Sequence, residues 1–142
     1  MNFGRIAAAA VVAWIVSLPV GFFVNEVLLA DIVAPNASAM RPEAELMANL
    51  PLGFAFLLLG FFAFAYVYAK GYEGGSGVQE GIRFGALLGV LSLGYGSLVN
   101  FAVLNIGGGL TAAMAAAGFV EWIVMGIVIG LVYQPAGSAR SR

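Results

Sequence analysis

Across 142 residues the chain carries 62% hydrophobic and only 9% charged side chains, with a formal net charge of -1 and a mean hydropathy of +1.00. That balance excludes an ordinary soluble domain and gives no footing for nucleic acid as a partner. Cysteine and histidine are both absent, which removes disulfides, thiolate chemistry and the commonest ligands for zinc, copper and haem iron, so neither a cofactor nor a metal site is expected.

Four apolar runs, residues 6–30, 48–69, 84–106 and 110–133, are each long enough to cross a hydrocarbon core of ~30 Å at 1.5 Å per residue. They predict an all-α polytopic protein, a single four-helix transmembrane domain over residues 1–142, with the lipid bilayer as its first partner. The opening run follows Arg5, and Ala37-Ser38-Ala39 resembles a signal cleavage site. The run reaches about Ala30, too long for a signal core, so it reads as a retained span. Within it, Pro19 is expected to free a backbone carbonyl that Ser17 or a neighbouring helix could satisfy. The loop that follows, residues 31–47, is acidic and holds Pro35 and Pro42.

With four spans, the N-terminus, the middle connector and the C-terminus share one side. That side carries Arg5, Lys70, Arg83, Arg140 and Arg142, against Arg41 alone on the other, so both termini are expected in the cytoplasm. Tyr66, Tyr68, Tyr72 and Tyr133 are expected at headgroup level on the same side. The connector at residues 70–77 is rich in glycine but lacks the order of a phosphate-binding loop, and it reads as a flexible linker.

Spans one and three share a pattern. Ser17, Gly21, Val24, Asn25 and Leu29 correspond to Ser92, Gly96, Val99, Asn100 and Leu104, each pair 75 residues apart. Spans two and four also end alike, Ala65-Tyr66-Val67-Tyr68 against Gly130-Leu131-Val132-Tyr133, at an offset of 65. Two readings stand: tandem parallel-repeat helical hairpins, or coincidence between helices built from a small apolar alphabet. Stripes rich in small residues mark packing faces: Ala9, Ala13, Ser17, Gly21 and Asn25 at strict four-residue spacing in span one; Gly85, Gly89, Ser92, Gly96 and Asn100, with one three-residue step, in span three; Gly118, Trp122, Gly126 and Gly130 in span four. Gly21, Gly85, Gly89, Gly96, Gly126 and Gly130 are the expected helix-packing glycines.

Glu121 lies about eleven residues into the fourth run, near mid-membrane, where a charge costs ~3 kcal/mol on insertion scales. It reads as a proton or cation site, as a neutral carboxyl bonded to a neighbour, or as a surface group if residues 111–118 are interfacial. Asn25 and Asn100 read as interhelical hydrogen-bonding groups or as part of a solute path.

Lys70-Gly71-Tyr72-Glu73 followed by Glu80-Gly81-Ile82-Arg83-Phe84-Gly85 resembles a group of small bacterial four-span inner-membrane proteins of unassigned function. The resemblance covers most of the length, is distinctive only at this connector, and implies a bacterial inner (plasma) membrane location with no activity to carry over. Two function classes follow. The first is a non-catalytic accessory or scaffolding subunit assembling with itself or with other membrane proteins. The alternative is a small channel or proton-coupled transporter using Glu121, Asn25 and Asn100. No paired carboxylates or nucleophile–base spacing supports an enzyme.

Overall fold

The computed structural model describes residues 1–134; Arg140 and Arg142 lie outside them. The fold is all-α. Four helices are long and apolar enough to cross a membrane, Phe3–Leu28, Glu43–Gly71, Gly77–Val103 and Gly108–Tyr133, which makes the chain an integral membrane protein. The described residues form five α-helices: α1 (Phe3–Phe23), the one-turn α2 (Ala30–Val33) between the first two spans, α3 (Glu43–Gly71), α4 (Gly77–Ser97) and α5 (Gly108–Tyr133). A π turn extends α1 through Val24–Leu28 and another extends α4 through Leu98–Val103. The end of the bundle that holds the N-terminus and the α3–α4 connector is called proximal, the opposite end distal.

The ends of the helices follow their sequences. Asn2 caps α1 by accepting the Arg5 amide at 3.1 Å. Helix α3 begins five residues before the expected span because Glu43 and Glu45 suit a helix N-terminus, and Lys70 suits its last turn. Helix α4 begins seven residues early, since the polar stretch before Phe84 continues the helix rather than a linker.

Helix α5 is the hub. It packs along α4 and against α1, which in turn packs on α3, while α3 touches α5 more lightly. The α4–α5 contact is made of backbone. The only buried residues of α4 are Gly77, Gly81, Gly85 and Gly89, four residues apart on one face. A Cβ on Gly81 would meet the Gly126 backbone and stand 2.8 Å from the Ile127 Cα; one on Gly85 would stand 2.7 Å from the Ile123 Cα; one on Gly89 would strike the Phe119 ring at 2.7 Å. Gly126 and Gly130 return the contact against Gly81 and Gly77. Gly85, Gly89, Gly126 and Gly130 are therefore packing glycines, as their spacing predicted. Gly21 and Gly96 are not: a Cβ on either meets nothing within 4 Å, because the helices have already diverged at their depth.

The core occupies the proximal half. Ile6, Ala9, Ala10 and Ala13 of α1 meet Phe61, Phe64, Ala65 and Tyr68 of α3 and Met125, Ile129 and Tyr133 of α5. Phe64 stacks on Phe84 at 5.1 Å and meets Trp122 edge-on at 5.3 Å, tying α3 to α4 and α5 through rings. Tyr68 and Tyr133, at the proximal ends of α3 and α5, are only 2% and 5% exposed: their rings turn into the bundle, the Tyr68 hydroxyl lying over Gly130. A smaller buried patch at the distal end holds Leu29, Ile106, Leu110 and Thr111, while the distal half of α3 is open. Between Glu43 and Gly60 of α3 every residue is exposed except Leu50 and Leu58, which are half-buried.

Two polar bonds secure this arrangement. The Trp14 indole N–H donates to the Phe54 carbonyl at 3.1 Å, joining α1 to α3. Arg5 Nη1 donates to the Tyr133 carbonyl at 3.5 Å, meeting the electronegative end of α5. Ser17 bonds the Trp14 carbonyl at 2.8 Å, not the Ile15 carbonyl that Pro19 leaves without its helical partner.

Gly81→Ala and Gly85→Ala are expected to destabilise the bundle by about 1–3 kcal/mol each, because backbone must move to admit the methyl. Gly60→Ala and Gly94→Ala, where a Cβ meets nothing, should be neutral or stabilising by up to about 1 kcal/mol. Reversible unfolding of detergent-solubilised protein in increasing dodecyl sulfate, followed by circular dichroism, distinguishes the two pairs.

Candidate functional site

Glu121 sits halfway along α5, thirteen residues from Gly108 and twelve from Tyr133. Its side chain turns into the bundle. The Oε1 atom is buried and has no hydrogen-bond partner among the described residues. The Arg5–Tyr133 bond sets the register between antiparallel α1 and α5, and twelve residues along each helix, about 18 Å, brings Ser17 level with Glu121. The Ser17 hydroxyl is already committed to the Trp14 carbonyl. A bare carboxyl oxygen away from water carries a desolvation penalty, so the site holds unspent hydrogen-bonding capacity.

Asn25 and Asn100 occupy matching places in the two π turns. Asn25 lies three residues before the end of its span at Leu28, and Asn100 three before Val103. The backbone repeats as well: the Leu29 amide donates to the Val24 carbonyl at 2.9 Å and the Leu104 amide to the Val99 carbonyl at 3.0 Å, the same five-residue step 75 positions apart. A π turn is one residue wound into a helix beyond its regular pitch, and such turns recur at functional sites.

The side chains differ. Asn25 is exposed, and its Nδ2 donates to the Gly21 carbonyl at 2.8 Å, one turn back on its own helix. That corrects the expectation of an interhelical bond there: the Asn25 amide is spent within α1, so it joins no other span. Asn100 makes no such bond to Gly96. It lines a cavity of about 100 Å³ between α4 and α5, together with Ser92, Leu93, Gly96, Ser97, Thr111, Met114, Ala115 and Gly118. Here the helices have parted beyond Gly89, where the Phe119 ring takes the place of a glycine contact. Thr111 Oγ1 donates to the Gly107 carbonyl at 3.0 Å. Asn25, Asn100 and Glu121 thus do not converge: one is exposed, one lines the cavity, and the half-buried Glu121 lies outside the cavity lining.

A fourth cluster was read as a flexible linker in the sequence and is an ordered turn. The Glu80 carboxylate accepts the Glu73 amide at 3.0 Å and also the Gly75 amide. Arg83 pairs with Glu73 at 2.8 Å, and the Tyr72 hydroxyl donates to the Gly75 carbonyl at 3.0 Å. Gly74, with φ of +90°, supplies the left-handed step that points two amides at one carboxylate. Every residue of this clasp falls within the connector or the first turns of α4, and Gly77 and Gly81, buried against α5, lie within the same stretch. The signal that would have found it is the four-residue glycine spacing, which continues backwards from Gly89 and Gly85 to Gly81 and Gly77.

Glu80→Ala should release the turn. Hydrogen exchange at the Glu73 and Gly75 amides is expected to quicken about tenfold or more, the equivalent of one charge-assisted hydrogen bond. Arg83→Ala, which removes only an exposed ion pair, should change exchange there by less than about fivefold. Amide exchange read by mass spectrometry checks both. No protein-family model, no curated protein and no solved structure matches this chain.

Proposed function

We propose that the protein is a non-catalytic accessory or scaffolding subunit of the membrane, assembling with itself or with a larger membrane complex. The observation that supports this reading best is the separation of its intramembrane polar groups. A transport path needs them on one continuous wettable surface. Here Glu121 is not among the residues that line the cavity, of which Gly118 is the last along α5, and Asn25 is exposed at the end of its own span. Helix pairs locked through glycine, with a distal half of α3 exposed to its surroundings, suit a part that packs against other spans.

The second reading, a small channel or proton-coupled transporter, is favoured by one observation: the unpartnered Glu121 Oε1 at the middle of α5. In an assembly of several copies the carboxyl could meet an axial path that a single bundle lacks. For either reading, the basic residues at the proximal end support cytoplasmic termini, and the connector's likeness to small bacterial four-span proteins supports the bacterial inner membrane.

Mild-detergent extraction followed by native mass spectrometry tests the choice. A stoichiometric larger partner supports the subunit reading; a homo-oligomer that carries pH-dependent flux in vesicles overturns it. Glu121→Gln should leave assembly within about twofold of the parent, because the amide keeps the shape and hydrogen-bonding capacity. If the protein transports protons, the same change should abolish the pH-dependent flux. Single cysteines placed by Ser38→Cys and Ser76→Cys should label from opposite faces of intact cells, and external labelling at position 76 would reverse the orientation.

A further inference from the structure

The cavity between α4 and α5 carries features that neither reading of the protein uses. Its polar lining is uncharged: the Ser92, Ser97 and Thr111 hydroxyls and the Asn100 carboxamide, with Leu93 and Met114 as apolar walls. Among the described residues, the Ser92 and Ser97 hydroxyls and the Asn100 carboxamide make no hydrogen bond to another protein group. Three other asparagines set in helical turns behave differently. Asn25, Asn36 and Asn49 each donate to the carbonyl four residues back, at 2.8, 3.1 and 2.7 Å. Asn100 has the same opportunity at Gly96 and leaves it unused, although it shares its surroundings with Asn25 down to the π turn and the glycine. Polar groups inside a span that decline their own backbone are available to a guest.

Size and depth narrow the guest. About 100 Å³ accommodates about three waters at ~30 Å³ each, or a three-carbon polyol of similar bulk. Asn100 lies three residues, about 4.5 Å, from the distal end of the Gly77–Val103 span, and Thr111 lies the same distance inside α5. That span is 27 residues, about 40 Å, and so covers the hydrocarbon core and both interfacial layers. The mouth of the cavity therefore stands at the level where the glycerol and ester groups of lipids sit, while Ser92, eleven residues from Val103, is its floor about 16 Å in. The absence of any charged side chain from the lining disfavours phosphate and ammonium groups as the part held.

We propose that this cavity is a binding site for a neutral, glycerol-like group, whose hydroxyl or ester oxygens are held by Asn100 and Ser97 at the mouth and Ser92 at the floor, while Thr111, its own proton given to the Gly107 carbonyl, accepts from a guest hydroxyl. The group comes either from the glycerol–ester region of a membrane lipid or from free glycerol. The Asn100 carboxamide donates to an ester carbonyl or a hydroxyl oxygen, and the serine hydroxyls donate or accept as the guest requires.

The test uses the full chain, labelled with 15N at asparagine side chains and reconstituted in phosphatidylcholine vesicles. One sample carries 13C in the lipid glycerol backbone, and a second carries unlabelled lipid with added 13C-glycerol. Solid-state magnetic resonance then measures the close 15N–13C contact. A contact in the first sample, lost in Asn100→Leu, establishes the lipid as source; a contact in the second alone, lost likewise, establishes free glycerol. Gly96→Ala guards against misfolding, because its Cβ meets no protein atom within 4 Å yet enters the cavity, and it should also remove the contact. Contact with water only, or a 15N–13C contact that survives both substitutions, overturns the proposal.

Discussion

The fold depends on one interaction: the backbone of α4 lying directly on the backbone of α5. In lipid there is little gain from hiding apolar side chains, so helices hold together through dispersion at close range and through the hydrogen bonds they exchange. Gly77, Gly81, Gly85 and Gly89 omit their side chains so that the carbonyls and α-carbons of α5 can approach. The contact also fixes position. It leaves a hollow over Gly130 that the Tyr68 ring fills, and it presents Trp122 to Phe64. Where the glycines end, at Gly89 and Phe119, the helices separate and the polar cavity begins. The closed core and the open cavity are thus two results of the same glycine series running out.

The aromatic cluster extends this lock to the remaining helix. Phe61, Phe64, Phe84, Trp122, Tyr68, Tyr72 and Tyr133 form a chain of ring contacts between 5.1 and 6.2 Å across α3, α4 and α5. Edge-to-face and offset pairs of this kind each contribute about 0.5–1.5 kcal/mol beyond the area they bury. All of them lie in the proximal half. The bundle is therefore most closely packed near the connector, where the Glu80 clasp closes the turn, and most exposed along the distal half of α3, beyond the Trp14–Phe54 bond at the middle of α1.

Much of this was legible in the sequence, and what was not has physical reasons. The length and depth of the spans follow from apolar run length, so Glu121 falls at mid-helix as its position in the run predicts. The α4–α5 stripe was half legible. Gly85, Gly89, Gly126 and Gly130 stand out by spacing, but Gly77 and Gly81 sit beside Gly74, Gly75 and Ser76, where composition suggests a linker. Spacing also cannot say whether another helix is present, and for Gly21 and Gly96 none is near. The asparagine pattern, 75 residues apart, matched a repeat in backbone winding but not in side-chain use, because an i-4 carbonyl competes with every neighbour for an amide donor. The clasp at Glu80 depends on a left-handed residue at Gly74, which a run of glycines permits without marking.

The central place of α5 has a consequence for how the protein is made. Spans leave the ribosome in order, and α5 is the last of the four. Until it arrives, α4 has no partner for its glycine face, and Tyr68 has no Gly130 to close against. The α1–α3 pair, with its indole bond, can associate early; the rest cannot. Packing of α4 therefore waits for α5, and a nascent chain that has not yet released it would display an unpaired glycine ridge to the quality-control machinery of its membrane.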